Sequence, residues 1–165
     1  MKVIFLDIDG VLNCQNSKSS CFGMMGIDNK KVEELKSIVD KSGAKIVLIS
    51  SWRTGWKRVH KEEQGYMANY LDKKLKSAGI YIIDKTDDYT AMRGEEILKW
   101  LENKEVESFA ILDDEVWDYE KCNLSDKVVK TEFYDDNGGL NTDKAREAMR
   151  ILCQDQNLHL RNTEK

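Results

Sequence analysis

A chain of 165 residues has room for one domain with a sizeable core. Hydrophobic residues at 41% and charged residues at 34% describe a soluble globular protein and exclude a disordered one. The formal charge of -4 excludes bulk electrostatic coating of nucleic acid, although a local basic face remains open. No stretch approaches the roughly 18 apolar residues of a membrane span. No secretory leader is expected, because Lys2 is followed by only four apolar residues before Asp7. Cys14, Cys21, Cys122 and Cys153 form no C-x-x-C pair and, with His60 and His159, no zinc pattern. Free thiols and a cytoplasmic location are the expectation.

Lys2 to Leu6 is an apolar run too short for a helix and suited to a strand buried on both faces of a parallel sheet. Asp7-Ile8-Asp9-Gly10-Val11 follows at once. Two carboxylates two residues apart point the same way while the extended geometry lasts. Gly10 lets the chain leave in a conformation barred to other residues. Residues 13 to 27 read as a polar loop. Asp28 predicts the N-cap of a helix through Val32, Leu35, Ile38 and Val39, ended by Gly43. Lys45 to Ile49 is a second buried strand, closing on Ser50-Ser51-Trp52-Arg53.

The spacing of Tyr66, Met67, Tyr70, Leu71, Leu75 and Ala78 predicts a helix over 57–78, interrupted if anywhere at Gly65. That stripe is core rather than a cofactor site. Gly79 stops the helix, and Ile80 to Ile83 forms a third strand. Arg93-Gly94-Glu95-Glu96 opens a helix carrying Ile97, Leu98 and Leu101. Phe109 to Leu112 is a fourth strand running into Asp113-Asp114-Glu115, and Val128-Val129 marks a short fifth. After the turn Asn137-Gly138-Gly139-Leu140, Thr142 caps a last helix through Ala145, Ala148, Met149 and Leu152. The alternation predicts a three-layer, Rossmann-like α/β fold: a mainly parallel five-stranded sheet with helices on both faces. Without a linker or repeat, residues 1–165 read as one domain, and neither long interruption has the length of a separate cap domain.

Such a topology gathers strand ends along one edge, where open α/β sheets bind ligands. The first strand brings Asp7 and Asp9, the second Ser50, Ser51 and Arg53, the fourth Asp113 and Asp114. Arg93 begins the helix leading into that fourth strand. Carboxylates this close repel unless a cation joins them or one takes up a proton. Oxygen-only ligands favour Mg2+, and such a cluster with hydroxyl and Arg donors suits a phosphoryl group. Plainer readings stand beside this one. Asp113-Asp114 is less favoured as a solvated turn because it follows an apolar strand. Asp118 is an alternative acidic partner, ranked below. Arg93 has a surface pairing with Glu96 or Glu120 open to it. Arg53 either touches substrate or anchors its loop. Trp52 and Trp56 read as packing residues, and His60 as a surface one.

The stretches Phe5 to Val11, Leu48-Ile49-Ser50-Ser51, Arg93 and Leu112-Asp113-Asp114 resemble, in order, the four signatures of haloacid dehalogenase-like (HAD) phosphohydrolases. Phe5 to Asn13, Ser50 to Arg53, Arg93 to Ile97 and Gly139-Leu140 look more narrowly like the capless HAD domains of bacterial and phage RNA-repair proteins. The resemblance implies Asp7 as a nucleophile forming an aspartyl-phosphate, with Asp9 as general acid and then base. An Asp at this second position looks like a phosphatase rather than a dehalogenase. It further implies Mg2+ held by Asp7, the backbone carbonyl of Asp9, and Asp113, with Asp114 close by. Ser50 or Ser51 would donate to a phosphoryl oxygen, and Arg93 would offset its charge.

A capless catalytic edge lies open, and capless HAD phosphatases often act on macromolecular phosphates. Between Arg53 and Lys76, seven basic residues (Arg53, Lys57, Arg58, Lys61, Lys73, Lys74, Lys76) face three acidic ones (Glu62, Glu63, Asp72). A phosphorylated nucleotide or nucleic-acid end is therefore the expected substrate, against the alternative of a solvated helix face. No membrane and no obligate protein partner are expected. A receiver domain is disfavoured because its acidic pair comes first, whereas here it comes late. A non-catalytic HAD-fold binding module is the remaining alternative.

Overall fold

The computed structural model describes residues 1–88 and 92–153. Strand β1 spans Lys2–Leu6, followed by a short antiparallel hairpin of β2 (Ser20–Cys21) and β3 (Met24–Met25). Helix α1 (Asn29–Ser42) leads to β4 (Lys45–Leu48), α2 (Tyr66–Ser77) to β5 (Ile82–Lys85), and α3 (Arg93–Leu101) to β6 (Ser108–Asp113). Strand β7 (Val128–Lys130) and helix α4 (Thr142–Cys153) complete the described chain. The main sheet has five strands in the order β5-β4-β1-β6-β7, every pair parallel. The chain works outward from β1 to β5, then crosses back to add β6 and β7 on the far side. Strand order thus reverses at β1, the switch point where such sheets open a crevice for ligands.

Alternation along the central strands sorts the core into two layers. Ile4, Leu6, Ile46, Leu48, Ala110 and Leu112 face α1, α2 and α4. Val3, Phe5, Val47, Ile49 and Ile111 face α3 through Ile97 and Trp100, with Tyr119 and Leu124 completing that side. Phe5 meets Trp100 edge-on, with ring centroids 5.3 Å apart. Among the described residues no helix is long and apolar enough to cross a membrane, and Cys14, Cys21, Cys122 and Cys153 are free thiols.

Four local readings need correction. The loop from 13 to 27 carries the β2–β3 hairpin. The stretch 57–78 is not one helix: α2 begins only at Tyr66, after a 3-10 turn at Lys61–Glu63. Asp72 holds the earlier part off the helix, accepting bonds from Trp56 Nε1 (3.0 Å), Lys61 Nζ (2.7 Å) and Gln64 Nε2 (3.1 Å). The third strand begins two residues later than its apolar run, at Ile82. Asn141, not Thr142, caps α4, its Oδ1 accepting from the backbone of Asp143 and Lys144 at 3.1 Å each.

Elsewhere the termini follow local chemistry. The Asp28 side chain accepts from the Lys30 N–H, and Gly43 closes α1 in the left-handed conformation. Gly10 also has a positive φ, +73°, and a Cβ there would lie 2.1 Å from Asp114 Cγ. Gly10→Ala is expected to cost about 2 kcal/mol in urea denaturation, from the left-handed backbone and the displaced carboxylate together. A loss of only about 1 kcal/mol, the backbone part alone, would show that Asp114 yields freely.

Candidate active site

The sheet ladder runs one bond beyond each central strand, and this brings the acidic groups together. Asp7 N–H donates to the Leu112 carbonyl at 2.9 Å, and Ile49 N–H donates to the Leu6 carbonyl at 3.0 Å. Asp7 and Asp113 therefore emerge side by side from β1 and β6. Both are buried. Asp7, Asp113 and Asp114 each offer an oxygen, all within 4.8 Å of one another. Arg93, from the first turn of α3, donates through Nη1 to Asp7 Oδ2 at 2.9 Å and to Asp113 Oδ2 at 2.5 Å. Tyr119 O–H donates to the same Asp113 oxygen at 2.6 Å, and Glu115 N–H to the other at 2.9 Å.

The electrostatics follow from crowding. Burial pushes the Asp7 carboxyl above the usual carboxylate range; Arg93 pulls against that shift, and the charge of Asp113 adds to it. Asp114 is pushed up to about 6 by burial, then by Asp7, Asp113 and Glu115. Arg93 is partly buried; burial lowers its proton affinity, but the two carboxylates outweigh this and raise it. Three crowded carboxylates against one guanidinium leave negative charge uncompensated, and an all-oxygen donor set matches a hard divalent cation such as Mg2+.

Asp9, two residues beyond Asp7, is exposed. Its Oδ1 accepts from Asn13 Nδ2 and its Oδ2 from Trp52 Nε1, both at 2.9 Å. Ser50 is fully buried, and its Oγ accepts from the Trp52 N–H at 3.3 Å, capping a 3-10 turn over Ser51–Arg53. A hydroxyl that accepts keeps its own hydrogen to donate. Ser51 is exposed on that turn.

Arg53 does not join the site. Its buried guanidinium donates to the Ile49 carbonyl, to Asp88 at 2.9 Å and to Glu96 at 3.0 Å. These bonds tie the turn after β4 to Asp88 and to Glu96 of α3. Asp118 is likewise no part of the acidic cluster. Its oxygens accept from the backbone of Gly94 (2.7 Å) and Glu95 (3.1 Å), capping α3 from another segment. Although burial opposes it, these N–H groups hold the Asp118 carboxyl below its ordinary value. A Cβ on Gly94 would lie 3.0 Å from Asp118 Oδ2 and 2.8 Å from Cys122 Sγ. The glycine admits the cap, and the cap fixes the turn that carries Arg93.

The basic excess of residues 53–76 is divided rather than gathered at the site. Arg58 pairs with Asp84 at 2.7 Å, and Lys61 and Lys76 pair with Asp72 at 2.7 and 3.6 Å. Lys73, Lys74 and Lys76 lie in the second half of α2, which runs from the edge bearing the acidic cluster towards the opposite one. Trp56 is buried in the Asp72 network, and His60 is exposed. Nothing in the sequence by itself singles out Asn13, Tyr119 or the indole N–H of Trp52. Only the adjacency of Trp52 and Asn13 to the acidic and serine stretches marks them.

A parallel sheet with these groups at the ends of β1, β4 and β6 and at the start of α3 is the arrangement of a haloacid dehalogenase-like domain. A family model described as the HAD domain in Swiss Army Knife RNA repair proteins matches residues 3–145, and the chain belongs to that family. No curated protein matches the chain.

Two outcomes test the site's physics. Asp114 holds its proton up to about pH 6 when folded, against an ordinary value of 3.8. The folded state therefore binds the extra proton between those values, and stability falls as pH rises through them. Metal-free protein is expected to melt at a higher temperature at pH 5 than at pH 7, and Asp114→Asn to shrink that difference; an unchanged difference counts against the crowding. Asp118→Ala is expected to lose about 1 kcal/mol in urea denaturation, with Asp118→Asn losing less because one acceptor remains.

Proposed function

We propose that this domain is a Mg2+-dependent phosphomonoester hydrolase that works through an aspartyl-phosphate on Asp7, with phosphorylated nucleotides or nucleic-acid ends as substrates. The observation that carries the reading is the convergence of buried Asp7 with Arg93 and Asp113, and of Asp9 two residues on with its own fixed donors. Asp7, Asp113 and Asp114 would hold the ion together with the Asp9 carbonyl. When bound, Mg2+ supplies charge neutralisation at the phosphoryl oxygens.

The chain's own residues account for the rest. An Asp7 carboxylate oxygen attacks phosphorus, and the bond from phosphorus to the ester oxygen breaks. Asp9 gives its proton to that oxygen, which leaves as an alcohol. Water then attacks the phosphorus of the aspartyl-phosphate while Asp9 takes its proton, releasing inorganic phosphate and restoring Asp7. Arg93 turns its donors to the phosphoryl oxygens, and the Ser50 hydroxyl donates to another of them.

Three observations support the substrate class. The family is described from RNA repair proteins. The insertion between β1 and α1 forms no more regular structure than the β2–β3 hairpin, as a capless domain would have. Trp117, 39% exposed, lies over the Arg93 guanidinium at 4.5 Å and offers a base-sized aromatic face beside the phosphoryl position.

Hydrolysis of p-nitrophenyl phosphate is expected with Mg2+, lost on chelation and restored by adding the metal back. Asp7→Asn is expected to lower kcat at least about 1,000-fold, and Asp9→Asn about 100-fold. Full activity of Asp7→Asn refutes the nucleophile, and an inert native protein refutes the enzyme. In the same assay, phosphorylated oligonucleotide ends and nucleotides should exceed sugar phosphates in kcat/KM; equal turnover refutes the substrate class.

A further inference from the structure

An exposed aspartate is ordinarily free to rotate about two side-chain torsions. Asp9 is exposed, yet both of its oxygens are held, Oδ1 by Asn13 Nδ2 and Oδ2 by Trp52 Nε1, each at 2.9 Å. The donors are themselves fixed. Asn13 is fully buried, and its Oδ1 accepts from the Gly10 N–H at 3.0 Å, so its amide nitrogen can only face Asp9. Trp52 is 8% exposed, is tied through its own N–H to Ser50 Oγ, and packs at a 45° tilt near Tyr70. A buried indole N–H needs some acceptor, and a backbone carbonyl would serve for packing alone. Here the acceptor is instead a solvent-facing carboxylate of the reaction site.

Resting on the phosphatase reading, we infer that Trp52 is a positioning residue for the acid–base group. Its indole N–H, acting with the Asn13 amide, fixes the Asp9 carboxyl so that the proton reaches the departing ester oxygen. Each Asp9 oxygen keeps a second lone pair beyond the one that accepts, so the carboxyl carries its proton without releasing either donor. The contribution is largest where the leaving oxygen is a poor one, as in alkyl or sugar hydroxyls. It is small for p-nitrophenolate, which departs without protonation.

The test compares kcat/KM for an alkyl phosphate and for p-nitrophenyl phosphate, because both report the chain of steps through Asp7 attack and leaving-group departure. Trp52→Phe keeps the ring and removes the N–H. It is expected to lower kcat/KM for the alkyl ester at least about tenfold and for the p-nitrophenyl ester less than about twofold. In an Asp9→Asn background the same substitution is expected to have almost no further effect on the residual p-nitrophenyl activity or on ester selectivity, because Trp52 acts through Asp9. Thermal melting of each variant accompanies the kinetics. Equal losses on both esters, or losses that multiply with Asp9→Asn, overturn the inference and leave Trp52 a packing residue. If Trp52→Phe unfolds, Asn13→Ser, which removes the other donor, is held to the same selectivity. Native protein inert towards both esters overturns the phosphatase reading itself, and the positioning role with it.

Discussion

Three carboxylates forced into a space a few ångströms across, with one guanidinium wedged between two of them, set the terms for the rest of the molecule. Like charges at that separation in a poorly solvated site repel strongly, so the fold must hold Asp7, Asp113 and Asp114 together against their own field. Backbone does this work. Asp7 is pinned by the ladder bond to the Leu112 carbonyl, and Asp113 lies within β6, its own carbonyl accepting from the Thr131 N–H at 2.9 Å. The hydrogen bonds of a parallel sheet, formed regardless of what the side chains carry, supply the rigidity that brings the acidic groups together. Tyr119, buried against Asp113, adds a neutral donor to the same carboxylate oxygen that Arg93 bonds.

The counter-charge is placed with comparable rigidity by a different route. Helix α3 begins at Arg93, and Met92 at its cap position makes no side-chain cap bond. The orphan N–H groups of the first turn are satisfied instead by Asp118, reaching in from the loop after β6. One stretch of chain from 113 to 118 thus supplies both a carboxylate that Arg93 neutralises and the clamp that orients the helix bearing Arg93. Arg53 contributes from the other side, joining the turn after β4 to Glu96 on the same helix. Charges that sequence reading sends to the substrate are partly spent on building the frame around it.

What was legible in the sequence was whatever depends on near neighbours. Short apolar runs closing on Asp7-Ile8-Asp9, Ser50-Ser51 and Asp113-Asp114 fixed strand positions and the edge they share, because burial on both faces demands unbroken apolar residues. Asp28 and Gly43 marked their helix ends because capping is a local affair. Distant partners were not legible. The failure of 57–65 to be helical traces to Asp72, whose acceptors collect Trp56, Lys61 and Gln64 from up to 16 residues away. The sequence leaves Arg53 open between substrate and loop anchor, and its partner Glu96, 43 positions on, is invisible there. Asp118 sat at a spacing compatible with a metal ligand, and only the approach of Gly94 reveals its other use. Asn13 and Tyr119 are ordinary residues whose importance comes from where the chain folds them.

Strands β5 and β7 close the sheet with four and three residues, and each carries charge, Asp84 and Lys85 on one and Lys130 on the other. Short, charged borders offer a poor template for strand addition from another chain. The domain's outer rims therefore discourage self-association through backbone pairing, even though the crowded acidic centre leaves little scope for relaxing the interior. A fold of this kind can be tethered within a larger polypeptide and keep its sheet to itself.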